Sequence, residues 1–185
     1  DGLSDSAAFD NALEYFIMGG YDIEHAMMLL IPEAWEKNEQ NPAMKDYYEY
    51  YSNYIEPWDG PAAMCFSNGK KIGAILDRNG LRPSRYIQTE DGMILLSSEM
   101  GVLDIDSKSV IKRWGLEPGK IFLIDLVEKR VIDNDEIKLK LAKKFDYRKS
   151  LDRNQIFLNE FKKSNNVKPR EKDDLIKFQI AFGYN

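Results

Sequence analysis

The sequence predicts an α+β fold, with an antiparallel sheet and flanking helices. Three observations predict it. Residues 4–58 carry apolar side chains at helical spacing. Residues 61–133 carry short apolar runs joined by Asn-Gly and Asp-Gly turns. A further helical stretch begins after Asp133.

The helical zone opens at Ser4, Asp5 or Ser6, any of which can cap a helix whose apolar residues are Phe9, Leu13, Phe16 and Ile17. Gly19-Gly20 ends that helix. Asp22 caps a second, Ile23–Ile31, which Pro32 stops. Met44, Tyr47, Tyr48, Tyr51 and Ile55 mark a third, broken by Glu56-Pro57-Trp58-Asp59-Gly60. In the strand zone Ala62–Phe66 and Ile72–Leu76 flank Asn68-Gly69, and Arg85–Thr89 and Met93–Ser97 flank Asp91-Gly92. Ile121–Val127 and Arg130–Ile132 form a third pair. Small residues at Ala62-Ala63 and Gly73-Ala74 let a second layer approach the sheet closely. Asn134 or Asp135 starts a helix through Leu141. Beyond Phe145 the composition turns polar and basic, and residues 161–174 read as a flexible linker before a short helix at Leu175–Phe182.

Composition narrows the function. With 185 residues the chain holds one domain, or one and part of another. A net charge of -5 argues against a sequence-independent grip on nucleic acid. The longest apolar stretch, Ala26–Ile31, is far too short to span a bilayer, and no signal-peptide pattern is visible. One cysteine, Cys65, and one histidine, His25, exclude an internal disulfide framework and a metal site built from Cys and His. The expectation is a cytoplasmic protein with neither nucleic acid nor membrane as partner.

No catalytic constellation stands out from residue types alone. A hydrolytic nucleophile needs a base within hydrogen-bond reach. Cys65 lies inside an expected strand and reads as a small buried hydrophobe. His25 reads as a helix-surface or packing residue. The segment Leu76-Asp77-Arg78-Asn79-Gly80-Leu81-Arg82-Pro83 reads two ways. Arg78, Arg82 and Arg85 can grip a carboxylate or phosphate. Alternatively the segment is a connection in which Asp77 pairs an arginine and Gly80 supplies an unusual backbone angle. The second reading is preferred. Trp58 is expected to plug the core from a rigid bend. The tyrosines of 47–54 are expected to form a packed helix face.

Several stretches, taken in order, carry a family resemblance: Ser4-Asp5-Ser6-x-x-Phe9-Asp10, Met28–Trp35, Glu56–Ala63, Leu76–Tyr86, Ser97-Ser98-Glu99-x-Gly101-Val102 and Leu116-x-Pro118-Gly119-Lys120. Near the end Phe178-Gln179-x-Ala181-Phe182-Gly183-Tyr184 extends it. Together they resemble the large chain of the glutamate synthase family. The resemblance implies that residues 1–144 are the C-terminal part of a class II glutamine amidotransferase domain, 145–174 a linker and 175–185 the start of the central domain. It implies part of a four-layer α/β/β/α sandwich of the N-terminal-nucleophile type. It also implies an enzyme that hydrolyses glutamine and passes the ammonia to 2-oxoglutarate, using FMN and an iron–sulfur cluster held by other domains. Its partners would be glutamine, the remaining domains of the large chain and an NADPH-oxidising small subunit.

The family's nucleophile is an N-terminal cysteine, and the first residue here is Asp1, so no catalytic residue is expected within these residues. One site residue carries over by resemblance: Asp5, in the Ser-Asp-Ser turn, matches the aspartate that receives the α-ammonium of glutamine. Asn68-Gly69 is a hairpin turn and does not match the family's oxyanion pair. Two rival readings are a scaffold that kept an amidotransferase fold without its chemistry, and a class II amidotransferase of purine or amino-sugar synthesis.

Overall fold

A computed structural model describes Gly2 and residues 4–36, 41–161 and 172–184. Residues 1–153 form one compact unit and 154–185 a second.

In the first unit, helix α1 spans Asp5–Met18 and is capped by Ser4, whose hydroxyl accepts from the Ala7 amide at 3.3 Å. It stops at Gly19, and Gly20 follows with a positive φ. Helix α2, Ile23–Leu30, is buried along its whole length. Asp22 stands at its N-cap position, but its carboxylate makes no cap bond and instead faces Lys140 and Lys144. Helix α3, Pro42–Ser52, starts two residues before the expected Met44, because Asn41 accepts from the Ala43 amide and Pro42 suits the first turn.

The strands form two antiparallel sheets. Strands β1 (Ala63–Ser67), β2 (Lys71–Leu76), β6 (Ile121–Asp125) and β7 (Arg130–Ile132) pair in the order β1-β2-β6-β7. Strands β3 (Arg85–Thr89), β4 (Ile94–Ser97) and β5 (Val110–Gly115) pair in the order β4-β3-β5. The three expected hairpins are present, and β5 is an additional strand. One face of the larger sheet carries Met64, Phe66, Ile75, Ile121 and Leu123, and packs against α1, α2, α3 and α4 (Asn134–Ala142) in a single core. On its other face Phe122 meets Tyr86 of β3, with ring centroids 4.4 Å apart. Gly73 is small for a reason other than the one expected. A Cβ there would lie 2.3 Å from the Phe66 ring, so the close approach is a neighbouring strand's side chain, not a second layer.

Helix α5, Tyr147–Asn154, occupies the beginning of the stretch expected to be linker. Asp146 accepts from the Lys149 amide, and Tyr147 and Leu151 are buried. Arg148 reaches Asp46 and Glu49 of α3. These contacts fold the segment onto the first unit. Of the rest of the expected linker, residues 162–171 lie outside the described residues, Leu158–Glu160 form a single 3-10 turn, and its last three residues belong to the following helix. In the second unit, helix α6 (Lys172–Ala181) coincides with the expected short helix, starting a turn earlier.

The turn after β2 ties the fold together. The Asp77 side chain is buried, with only 3 % of the residue exposed. Its carboxylate accepts from the amides of Ala62 at 2.9 Å, Asn79 at 2.8 Å and Gly80 at 3.1 Å. Its carbonyl accepts from Gly119 at 3.1 Å. Burial alone would raise this carboxyl's pKa, but the three amides outweigh burial and hold it below the usual value. Asp77 therefore pairs with backbone and not with an arginine as expected. Arg78 bridges to Asp59, and Arg82 donates to the Pro61 carbonyl. Gly80, at φ 61°, packs on Pro118.

Asp77→Asn should cost about 2–3 kcal/mol, because the amide NH2 cannot accept and one buried amide loses its partner. Urea unfolding should show a lower midpoint with an unchanged slope. The folded pKa is depressed, so the Asp77 contribution is full above the ordinary carboxyl value near pH 4. It is lost as pH falls through the lowered one. The variant should lack that part of the acid dependence.

Candidate functional site

The first turn of α1 borders a cleft of about 400 Å³ at the outer edge of β1. Ser4, Ser6 and Asp10 line it from the helix, and Met64, Cys65 and Phe66 from the strand. The cleft exists because β1 is an edge strand and α1 lies beside it with its N-terminus open. Asp5 opens the helix between the two lining serines and is exposed. The Ser4 hydroxyl serves the cap, lies 3.2 Å from the Ser6 hydroxyl, and leaves the Asp5 carboxylate outside the capping bond. Asp10, four residues after Ser6 and so on the same helix face, lines the cleft as well, and that spacing is its signal in the sequence.

Cys65 lies in β1 as expected, but it is exposed and not buried. Alternation along the strand explains the difference: Met64 and Phe66 face the helical layer, so Cys65 faces away from it. Of the two readings of His25, helix-surface or packing residue, the second is the one found. Only 1 % of His25 is exposed, and Tyr21, Tyr47 and Tyr51 surround it with ring centroids 4.8–5.7 Å away. Neither ring nitrogen has a hydrogen-bond partner among the described residues. Burial, with Lys144 in support and Asp22 opposing, pushes its pKa down to about 4. It is a packing residue held neutral. Tyr47 is buried on the same helix face as Tyr48, as the tyrosine spacing predicts.

The three arginines considered as one anion grip are not one site. Arg78 and Arg82 serve the Asp59–Pro61 bend, while Arg85 stands on β3 beside a separate cavity. Trp58 plugs the bend as expected. Its backbone amide donates to Leu30, its indole to Gly60, and its ring meets Phe9 edge-on. Among the described residues no group of three or more His, Cys, Asp or Glu is placed to hold a metal ion, and no helix is long and apolar enough to cross a membrane.

Comparison with known proteins decides the family. Residues 1–150 match the glutamine amidotransferases of class II. The chain belongs to that family. The two antiparallel sheets with flanking helices agree with its N-terminal-nucleophile fold. The chain is 45 % identical over 182 residues to the glutamate synthase [NADPH] large chain of Bacillus subtilis (strain 168), and 45 % identical over 185 residues to the ferredoxin-dependent glutamate synthase of Antithamnion sp.. Each alignment covers 98 % of this chain and 12 % of the relative. The glutamate synthase [NADH] of Schizosaccharomyces pombe (strain 972 / ATCC 24843) is 42 % identical over 160 residues, covering 85 % of the chain and 8 % of the relative. The chain thus spans about an eighth of the length of the curated relatives it matches.

The neutral burial of His25 gives this amidotransferase segment a measurable pH dependence. The folded pKa lies below the ordinary value of 6.5, so the contribution is full above pH 6.5 and is lost progressively as pH falls toward 4. Relative to His25→Phe, the wild type should lose at most about 3 kcal/mol across that window. Unfolding free energies measured for both proteins against pH check this: the two curves should run parallel above pH 7, and the wild-type value should fall relative to the variant's below it.

Proposed function

We propose that this chain is a working part of glutamate synthase and forms one wall of the pocket in which glutamine is hydrolysed. The observation that carries the reading is the alignment at 45 % identity over 98 % of the chain, without a long unmatched stretch. The geometry supports it. Ser4 and Ser6, on either side of Asp5, line an open cleft, and the exposed Asp5 carboxylate beside it is free of the cap bond and can receive an ammonium by a charge-assisted hydrogen bond. In this reading Asp5 binds the α-ammonium of glutamine, water releases glutamate and ammonia, and the ammonia goes on to 2-oxoglutarate, where reduction gives a second glutamate.

The nucleophile for the first step comes from outside these residues. Cys65 is exposed on an edge strand, and the single histidine is enclosed by tyrosine rings elsewhere. The chain alone is therefore expected to be inactive. The reductive chemistry also belongs elsewhere. An iron–sulfur cluster needs several thiolates, and Cys65 is the chain's only cysteine, so the residues present do not fit one. FMN is assigned to the same remaining domains. The relatives' names give NADPH, NADH and ferredoxin as electron donors, and the choice among them lies outside this segment.

Two surfaces suit a part of a larger whole. On the sheet face opposite the helices, Cys65, Ile72 and Val131 are exposed, which the other strands of a four-layer sandwich would cover. In the second unit Leu175, Ile176, Phe178, Ile180 and Phe182 are exposed, as expected if residues 175–185 begin the central domain after a linker.

Asp5→Asn in the complete enzyme tests the reading. Asn caps a helix about as well as Asp, so the fold should hold while the charge is lost. Glutamine-dependent activity should fall by roughly 30-fold or more, from a loss of about 2–5 kcal/mol. Activity driven by free ammonia should be unchanged. Unaltered glutamine kinetics would reduce Asp5 to a helix residue.

A further inference from the structure

The outward face of the smaller sheet holds a cavity that the amidotransferase reading does not use. Residues alternate along a strand, so Arg85 and Ile87 of β3 share one face. In the ladder Arg85 lies opposite Ser97 and Gly115, and Ile87 lies opposite Leu95 and Arg113. The two arginines are therefore diagonal neighbours on adjacent strands. Gly115 leaves space beside Arg85: nothing lies within 4 Å of where its Cβ would stand. The chain between β4 and β5 folds over this face and brings Met100 and Leu103 against it. The result is a cavity of about 110 Å³ lined by Arg85, Arg113 and mostly aliphatic residues. A single water needs only about 10–15 Å³ on this measure, so a small organic molecule has room.

The cavity lining carries two cationic side chains and no carboxylate. Arg78, Arg130 and Arg148 each have a carboxylate partner. Among the described residues neither Arg85 nor Arg113 has one. Two like charges placed diagonally across a strand pair repel each other, and an anion between them removes that cost. A planar guanidinium pair suits a carboxylate, because each can donate two parallel N–H bonds. The apolar lining excludes a bare, fully hydrated ion as the best occupant. It favours a ligand whose charged end is followed by a short hydrocarbon part.

We propose that this cavity is a binding site for a small aliphatic carboxylate, with the carboxylate held between Arg85 and Arg113 and the chain lying on Ile87 and Leu95. The site is separate from the Asp5 cleft, and its test does not depend on glutamine chemistry.

The experiment is a titration of the 185-residue chain with pentanoate, followed by backbone amide NMR shifts, with 1-pentanol as the neutral match. Pentanoate should bind saturably at millimolar concentration and shift amides of β3, β5 and residues 98–109, while 1-pentanol should not bind. In the Arg85→Gln/Arg113→Gln variant, affinity should fall at least about tenfold, as expected for the loss of charge-assisted bonds. Both positions are exposed, so the substitution leaves the core intact. Equal binding of 1-pentanol, absence of saturation in the wild type, or an unchanged affinity in the variant would each overturn the proposal. The first two outcomes need no variant at all.

Discussion

A single buried carboxylate sets the geometry of this segment. Asp77 sits where β2 ends, and its three side-chain bonds reach back to the residue before β1 and forward into its own turn. Its carbonyl holds Gly119, two residues before β6 begins. Three neighbouring strands of the larger sheet are thus anchored at one point. A buried carboxylate without partners would be strongly destabilising. Three backbone donors make this one a net tie, and neutral side chains of similar size cannot serve all three at once.

The contacts extend from there into the helices. A Cβ on Gly119 would lie 2.6 Å from the Glu33 Cβ, so strand turn and helix exit touch directly. Glu33 in turn accepts from the Tyr48 hydroxyl of α3 at 2.9 Å and pairs with Lys138 of α4. The bend at 56–61 joins through Trp58 and through Arg78 with Asp59. Four of the stretches that carry the family resemblance, around Glu33, Trp58, Asp77 and Pro118, meet in this junction. Their residues are explained by architecture. The proposed glutamine site lies apart from it, at the start of α1, where Ser4 and Ser6 line an open cleft.

Much of this was legible in the sequence, and the failures have physical causes. Hairpins at Asn68-Gly69 and Asp91-Gly92 announce themselves because few other residues adopt positive φ at that cost. Helices α1 and α2 follow from caps and glycine stops. Strand β5 was missed because it is an edge strand. Its charged Lys112 and Arg113 hide the alternation: Lys112 lies over the Trp114 ring at 3.6 Å, Trp114 stacks on Tyr86, and Arg113 points to the opposite face. Helix α5 was missed because only Tyr147 and Leu151 anchor it, although Asp146 was a readable cap. Cys65 was expected inside because the type is usually buried, yet the parity of the strand turned it outward. Asp77 was expected beside an arginine because charge pairs are visible in a sequence. Backbone donors brought together by three separate turns are not. Asp5 was picked out by motif alone, and its exposure at the start of α1 agrees with a ligand role without requiring it.

Native-state hydrogen exchange addresses the junction most directly. If the Asp77 carboxylate anchors the sheet, the amides of Ala62, Asn79 and Gly80 should exchange only through global unfolding, with the same opening free energy as Leu123 in the centre of β6. Exchange of those three amides through local openings, at rates typical of an exposed loop while Leu123 stays protected, would contradict the account.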